Sequence, residues 1–252
     1  MVQEAAAEDG GFTRGSAIKE VFRDRTLGPY ARLLFPPEGF RSGRTLGSLR
    51  LLWYSELDPD ATVEIVNTLK KRVESGGPVF LPLYSEEDIR RDPAKRGTSL
   101  VFFKGRPAAP FAVCCAGGGF AYVGAMHDSF PHALALSKMG FNAFALVYRP
   151  GARTAMEDLA RALGIVFRRA RELQVDTRGY SLWGGSAGAC MAAWAGTYGA
   201  AAFGGPDQRG GRLLAEAARQ AAGLKKPGLY NGLMQRSTMS HFAPALPGPA
   251  FF

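Results

Sequence analysis

The feature that most constrains this chain is a short apolar strand running into Gly-x-Ser-x-Gly and then a small-residue helix: Tyr180-Ser181-Leu182-Trp183-Gly184-Gly185-Ser186-Ala187-Gly188. A serine on so sharp a strand-to-helix turn has its hydroxyl pushed outward, with the positive end of a helix beneath it. Strand and helix must approach closely there, and Gly184 and Gly188 supply the missing side chains.

Such a turn belongs in a chain that alternates strands and helices, and from Phe111 onward this one does. Residues 111–115 form a continuous apolar run of the kind found in parallel strands covered on both faces. Gly117-Gly118-Gly119 follows, then a predicted helix over 129–139 and a strand over 143–148. In the next helix Met156, Leu159, Leu163, Val166, Ala170 and Leu173 step by three or four residues, and Thr154 and Glu157 have capping-box spacing. The strand over 180–183 comes next. This order predicts an α/β fold, a doubly wound, mostly parallel sheet with helices on both faces.

Upstream, Val63, Val66, Leu69 and Val73 predict a helix over 60–73 with Asp60 as N-cap. Residues 79–84 and 99–104 read as an antiparallel edge, joined by a charged turn over 85–97. The first 47 residues, rich in Gly, Pro and Arg, read as an irregular arm on one α/β domain spanning 48–252.

The two glycine turns carry the chemistry. Glycines after a buried strand let backbone N–H groups converge on a negative oxygen. A phosphate cradle needs Gly-x-Gly-x-x-Gly or a Gly-Lys-Ser/Thr ending, and neither is present. An oxyanion hole fits better, because a serine elbow follows two strands later in the sequence. A tight turn with no ligand is the plain alternative for either loop alone. In the catalytic reading Ser186 attacks an ester carbonyl while the N–H groups of Gly118, Gly119 and Ala187 hold the developing oxyanion. Serine also needs a base, ordinarily a histidine oriented by a carboxylate. After Ser186 the chain offers only His241, with Asp207 and Glu216 as carboxylates, so His241 is the candidate base. Glu216 reads as a helix-surface ion-pair partner and Asp207 as a turn residue; His127 and His132 read as helix-start residues.

The remaining composition narrows the class. With 252 residues, 46% of them hydrophobic, the chain can bury a full core. The net charge of +9 comes from scattered basic residues without a nucleic-acid motif, so no nucleic-acid partner is expected. Cys114, Cys115 and Cys190 have no metal spacing, neighbouring strand positions face opposite ways, and all three read as small buried hydrophobes. No metal, no cofactor, no membrane span and no secretory signal are expected, which argues for a cytoplasmic protein.

The segment 49–60, Cys115-Ala-Gly-Gly-Gly-Phe-Ala-Tyr-Val123, Met126-His127 and the serine elbow together resemble the esterase/lipase, acetyl-xylan-esterase-like branch of the α/β-hydrolase superfamily, over about residues 28–203. The resemblance implies hydrolysis of small-molecule or carbohydrate esters by Ser186, with Gly118, Gly119 and Ala187 as oxyanion donors. The superfamily continues past the elbow with further apolar strands, an Asp and a His. Here the composition shifts from about residue 204, which predicts a truncated or frame-altered hydrolase with incomplete C-terminal strands, prone to self-association. The alternative is a catalytically impaired or non-catalytic hydrolase-like protein.

Overall fold

The predicted strands assemble into one five-stranded sheet in the computed structural model, which describes residues 11–54 and 58–204. The strands are β1 (Phe80–Pro82), β2 (Ser99–Phe103), β3 (Ala109–Cys115), β4 (Asn142–Val147) and β5 (Val175–Gly184), in the spatial order β1-β2-β4-β3-β5. The antiparallel β1/β2 pair is the edge expected from the sequence, β2 also pairs antiparallel with β4, and β4, β3 and β5 run parallel.

Every residue of β2 and of β4 is buried, because helices cover the sheet on both faces. Alternate residues divide between two cores. Val101, Phe103 and Cys114 face α1 (Pro59–Glu74), α2 (Ser129–Lys138) and the N-terminal residues Ile18, Val21, Leu27 and Leu34. Leu100, Phe102, Val113 and Cys115 face α3 (Ala152–Arg168) and α4 (Ala187–Tyr198). The two adjacent cysteines therefore point into different cores, and both are free thiols. Burial, and then the carboxylate of Asp128, pushes the Cys115 thiol up to about 12, so it stays protonated.

Several local details differ from the sequence expectation. The N-cap of α1 is Asp58, whose carboxylate accepts from the Asp60 N–H at 2.8 Å, with Pro59 in the first turn. That arrangement leaves Asp60 free to pair with Arg14. The expected charged turn contains a helix, Glu86–Arg91, started by a capping box between Ser85 and Asp88. Helix α3 starts after Gly151, whose φ of 96° favours glycine, and Thr154 is inside it with its hydroxyl donating to the Gly151 carbonyl at 3.0 Å. The apolar stripe continues past Arg168, but Arg169 leaves helical geometry and Ala170–Leu173 forms a separate turn of helix. The expected elements beyond residue 204, including the helix carrying Glu216, lie outside the described residues.

The strand order places the site. From β3 the chain crosses through α2 to β4 on one side, then returns through α3 to β5 on the other side of β3. Reversal of winding opens a crevice at the carboxyl ends of β3 and β5, where open α/β sheets bind ligands. Cys115, at the end of β3, is paired with Gly184, at the end of β5. The glycine turn and the serine elbow, two strands apart in sequence, thus leave adjacent strands.

Candidate active site

Ser186 sits between β5 and α4 with φ 51° and ψ −116°, and it is exposed. The elbow is tight for a sequence-specific reason. A Cβ on Gly184 would overlap the backbone of Gly188, and a Cβ on Gly188 would overlap the carbonyl oxygen of Cys115. Both glycines are thus required by close packing of α4 on β5 and β3. The turn is closed by the Gly188 N–H donating to the Gly185 carbonyl at 2.8 Å, and the Cys190 N–H donates to the Ser186 carbonyl at 3.1 Å.

The glycine turn lies directly against this elbow. A Cβ on Gly117 would sit 3.0 Å from the Cβ of Ser186 and 3.0 Å from the Gly185 carbonyl oxygen. Gly118 and Gly119 have φ of 134° and 61°, backbone that side chains disfavour. Among the described residues, the N–H groups of Gly118, Gly119 and Ala187 take no acceptor. The glycine turn and the serine elbow singled out from sequence therefore lie against each other at the ends of adjacent strands. His241 lies outside the described residues.

The sequence reading missed the group that braces the crevice. Asp128 is the residue before α2, yet its carboxylate does not cap that helix. Instead Oδ2 accepts from the Gly117 N–H at 2.8 Å and from the Tyr54 hydroxyl at 3.0 Å. A Cβ on Gly185 would stand 2.7 Å from the same oxygen. One buried carboxylate therefore touches both the glycine turn and the elbow. Burial, and then the charge of Asp128, raises the pKa of Tyr54 well above that of an ordinary phenol, which keeps the hydroxyl protonated and donating. Further anchors come from behind: the Tyr148 hydroxyl donates to the Ala116 carbonyl at 2.6 Å, and the Gly151 N–H donates to the Phe120 carbonyl at 2.8 Å. The only sequence signal for Asp128 is an Asp at a helix start, which ordinarily means a cap.

Asp128→Ala leaves the Gly117 N–H and the Tyr54 hydroxyl without their acceptor. At about 1–3 kcal/mol per unsatisfied buried group, it is expected to lower unfolding free energy by roughly 2–6 kcal/mol in a urea titration. Asp128→Asn, which keeps an acceptor oxygen, is expected to lose less.

Neither described histidine is hydrogen-bonded to the Ser186 hydroxyl. His132 Nδ1 is 2.7 Å from the Asp128 backbone carbonyl and 3.6 Å from its carboxylate, which raises the imidazole pKa. His127 packs beside Tyr54, its Nε2 buried with no partner among the described residues. Burial, and then the charge of Arg50, lowers its pKa to about 4. With an unfolded value of about 6.5, the unfolded chain binds more protons between those limits. Neutral His127 therefore contributes stability that is full above about pH 6.5 and is lost as pH falls through about 4. Comparing thermal midpoints at neutral pH and near pH 4, His127→Gln is expected to lose less on acidification than the parent. The difference should be on the order of 2 kcal/mol.

Among the described residues no cluster of His, Cys, Asp or Glu could hold a metal ion, and no helix is long and apolar enough to cross a membrane.

No protein-family model matches the chain, and no curated protein matches it. Among solved structures it is similar to an acetyl ester-xyloside bifunctional hydrolase from Caldicellulosiruptor lactoaceticus, at 28% identity over 47% of this chain and 46% of that one, with a TM-score of 0.42. It is also similar to the apo form of Thermogutta terrifontis esterase 2, at 26% identity over 38% of this chain and 40% of that one, with a TM-score of 0.36. The butyrate-bound form of the latter matches at 22% identity over 46% and 42% of the two chains, with a TM-score of 0.38. The chain thus spans less than half the length of these neighbours. The α/β architecture stands on the order and register of the sheet itself.

Proposed function

We propose that this chain is a serine-dependent hydrolase of carboxylic esters, with Ser186 as nucleophile and the N–H groups of Gly118, Gly119 and Ala187 as oxyanion donors. The observation that carries the reading is the backbone of Ser186, at φ 51° and ψ −116° beside the glycine turn. Holding a non-glycine residue there costs about 1–3 kcal/mol, a strain that persists where the surroundings over-determine it. The strain puts an exposed serine at a helix N-terminus next to the glycine turn, which supports the reading.

In the reaction, Ser186 Oγ attacks the ester carbonyl and its proton passes to a base. The N–H groups stabilise the tetrahedral oxyanion, each worth about 2.7–4 kcal/mol of barrier. The alcohol leaves with the proton, and water then hydrolyses the acyl-serine by the same steps. His241 is the proposed base, since His127 and His132 have other surroundings. Substrates are small-molecule esters, those of carbohydrates included.

Vinyl acetate tests the reading: the full chain is expected to hydrolyse it above the buffer rate, and Ser186→Ala to fall to that rate. Equal rates for the two proteins would sink it. A non-catalytic binding pocket is the second reading, favoured by one observation: among the described residues no base is hydrogen-bonded to the Ser186 hydroxyl.

A further inference from the structure

Five non-glycine residues have positive φ among those described: Trp53, Ala108, Phe120, Gln174 and Ser186. Ala108 and Gln174 form a turn pair remote from the elbow, with the Ala108 N–H donating to the Gln174 carbonyl at 2.8 Å. The other three gather around the glycine turn. Ser186 is the elbow itself, and Phe120 follows Gly119 and stacks on Trp194 at 5.9 Å. Trp53 precedes Tyr54, whose hydroxyl donates to Asp128 across 74 residues of sequence, and the Trp53 ring lies against Gly119.

Trp53 is the outlier that packing does not explain. Its φ is 69°, a conformation unfavourable for a bulky side chain, yet 64% of the residue is exposed. Both neighbours hold it there: the Tyr122 hydroxyl donates to the Leu52 carbonyl, and the Tyr54 side chain is fixed to Asp128. Among the described residues the ring lies beside Gly119 and Tyr122. A Cβ on Gly119 would stand 3.0 Å from it, and the Tyr122 ring lies 5.7 Å away, itself stacked on Phe40 at 4.7 Å. Thus a strained, braced backbone presents a large apolar face to solvent at the rim of the glycine turn. Strained residues cluster at active sites and ligand clamps.

We infer that Trp53 is a specificity-determining wall of the site, stacking on a flat apolar ring in one half of the ester. The inference rests on the ester-hydrolase reading and names the substrate class: ring-bearing esters over small aliphatic ones. Tryptophan offers a rigid face of large area, and ring stacking adds to the area buried.

Three esters test it: vinyl acetate, vinyl benzoate with the ring in the acyl half, and 1-naphthyl acetate with the ring in the alcohol half. Trp53→Ala is expected to lower kcat/KM about tenfold for at least one ring ester, through KM, while vinyl acetate changes less than about twofold. Trp53→Phe is expected to retain most of the ring preference. Trp53→Gly, which relieves the positive φ, is expected to keep or raise the thermal midpoint while losing the preference. An equal fall for all three esters, or no fall for any, overturns the inference. If the parent turns over none of the three, the hydrolase reading fails separately. Calorimetric titration of 1-naphthyl acetate and vinyl benzoate into Ser186→Ala, with and without Trp53→Ala, then decides the role of Trp53. Weaker binding of a ring ester on loss of Trp53 supports it; equal binding, or none, overturns it.

Discussion

Ser186→Gly is expected to abolish ester turnover while leaving the protein as stable as before or more so. The backbone at φ 51° and ψ −116° is a turn conformation in which glycine carries no Cβ penalty. Relief of about 1–3 kcal/mol of strain opposes the roughly 0.5–1 kcal/mol that glycine loses in chain entropy, so the net change is zero to slightly stabilising. Turnover moves the other way. Without the hydroxyl no acyl-enzyme forms, and kcat should fall by roughly 10⁴–10⁶. Thermal midpoints and vinyl acetate rates on the same preparation check both halves. A clear loss of stability would mean that the Ser186 side chain holds the elbow together, and that its strained backbone is not a cost borne for chemistry.

The second large effect lies behind the crevice. Arg149 follows β4, and its buried guanidinium is held by Asp158 of α3, with Nη2 to Oδ1 at 2.7 Å. Asp158, fully buried, also accepts from the Arg149 backbone N–H at 2.8 Å and from the Tyr84 hydroxyl at 2.6 Å. Asp158→Ala removes all of these at once and leaves a buried cation with Asp92 and Glu157, both 3.3 Å away, as its remaining carboxylates. Breaking a buried pair from one side typically costs about 3–5 kcal/mol, and those two partners place the expected loss near 3. A thermal midpoint lower by about 6–12 °C follows for a domain of this size. The damage should reach the site, because the segment after Arg149 carries Gly151, whose N–H holds the Phe120 carbonyl beside the glycine turn. A shift of less than about 2 °C would show that Asp92 and Glu157 suffice.

What the sequence made legible follows from local chemistry. The elbow was readable because its glycines are demanded by backbone contacts within one turn, as Gly184 against Gly188 illustrates. The alternation of strands and helices was readable because residues 100–103, 111–115 and 143–147 are buried on both faces of the sheet and are apolar throughout. Asp128 and Tyr54 were not, since the two are 74 residues apart and nothing in their local spacing records the pairing. The start of α1 was misplaced by two residues because Asp58 and Asp60 are both good caps, and only the direction of a side chain distinguishes them. The helix Glu86–Arg91 was read as a charged turn because it buries a single residue, Ile89, and so has no apolar stripe. Trp53 was passed over because backbone strain leaves no mark in residue type unless glycine or asparagine occupies the position.

The central claim, that Ser186 is an activated nucleophile rather than an exposed surface serine, is tested most directly by exposing the full chain to a fluorophosphonate and mapping the adduct by peptide mass spectrometry. The reagent reacts with serines whose hydroxyl is activated, so the account predicts one stoichiometric adduct, on the peptide containing Ser186, absent in Ser186→Ala. No adduct on a folded sample, or an adduct on another residue, would contradict it.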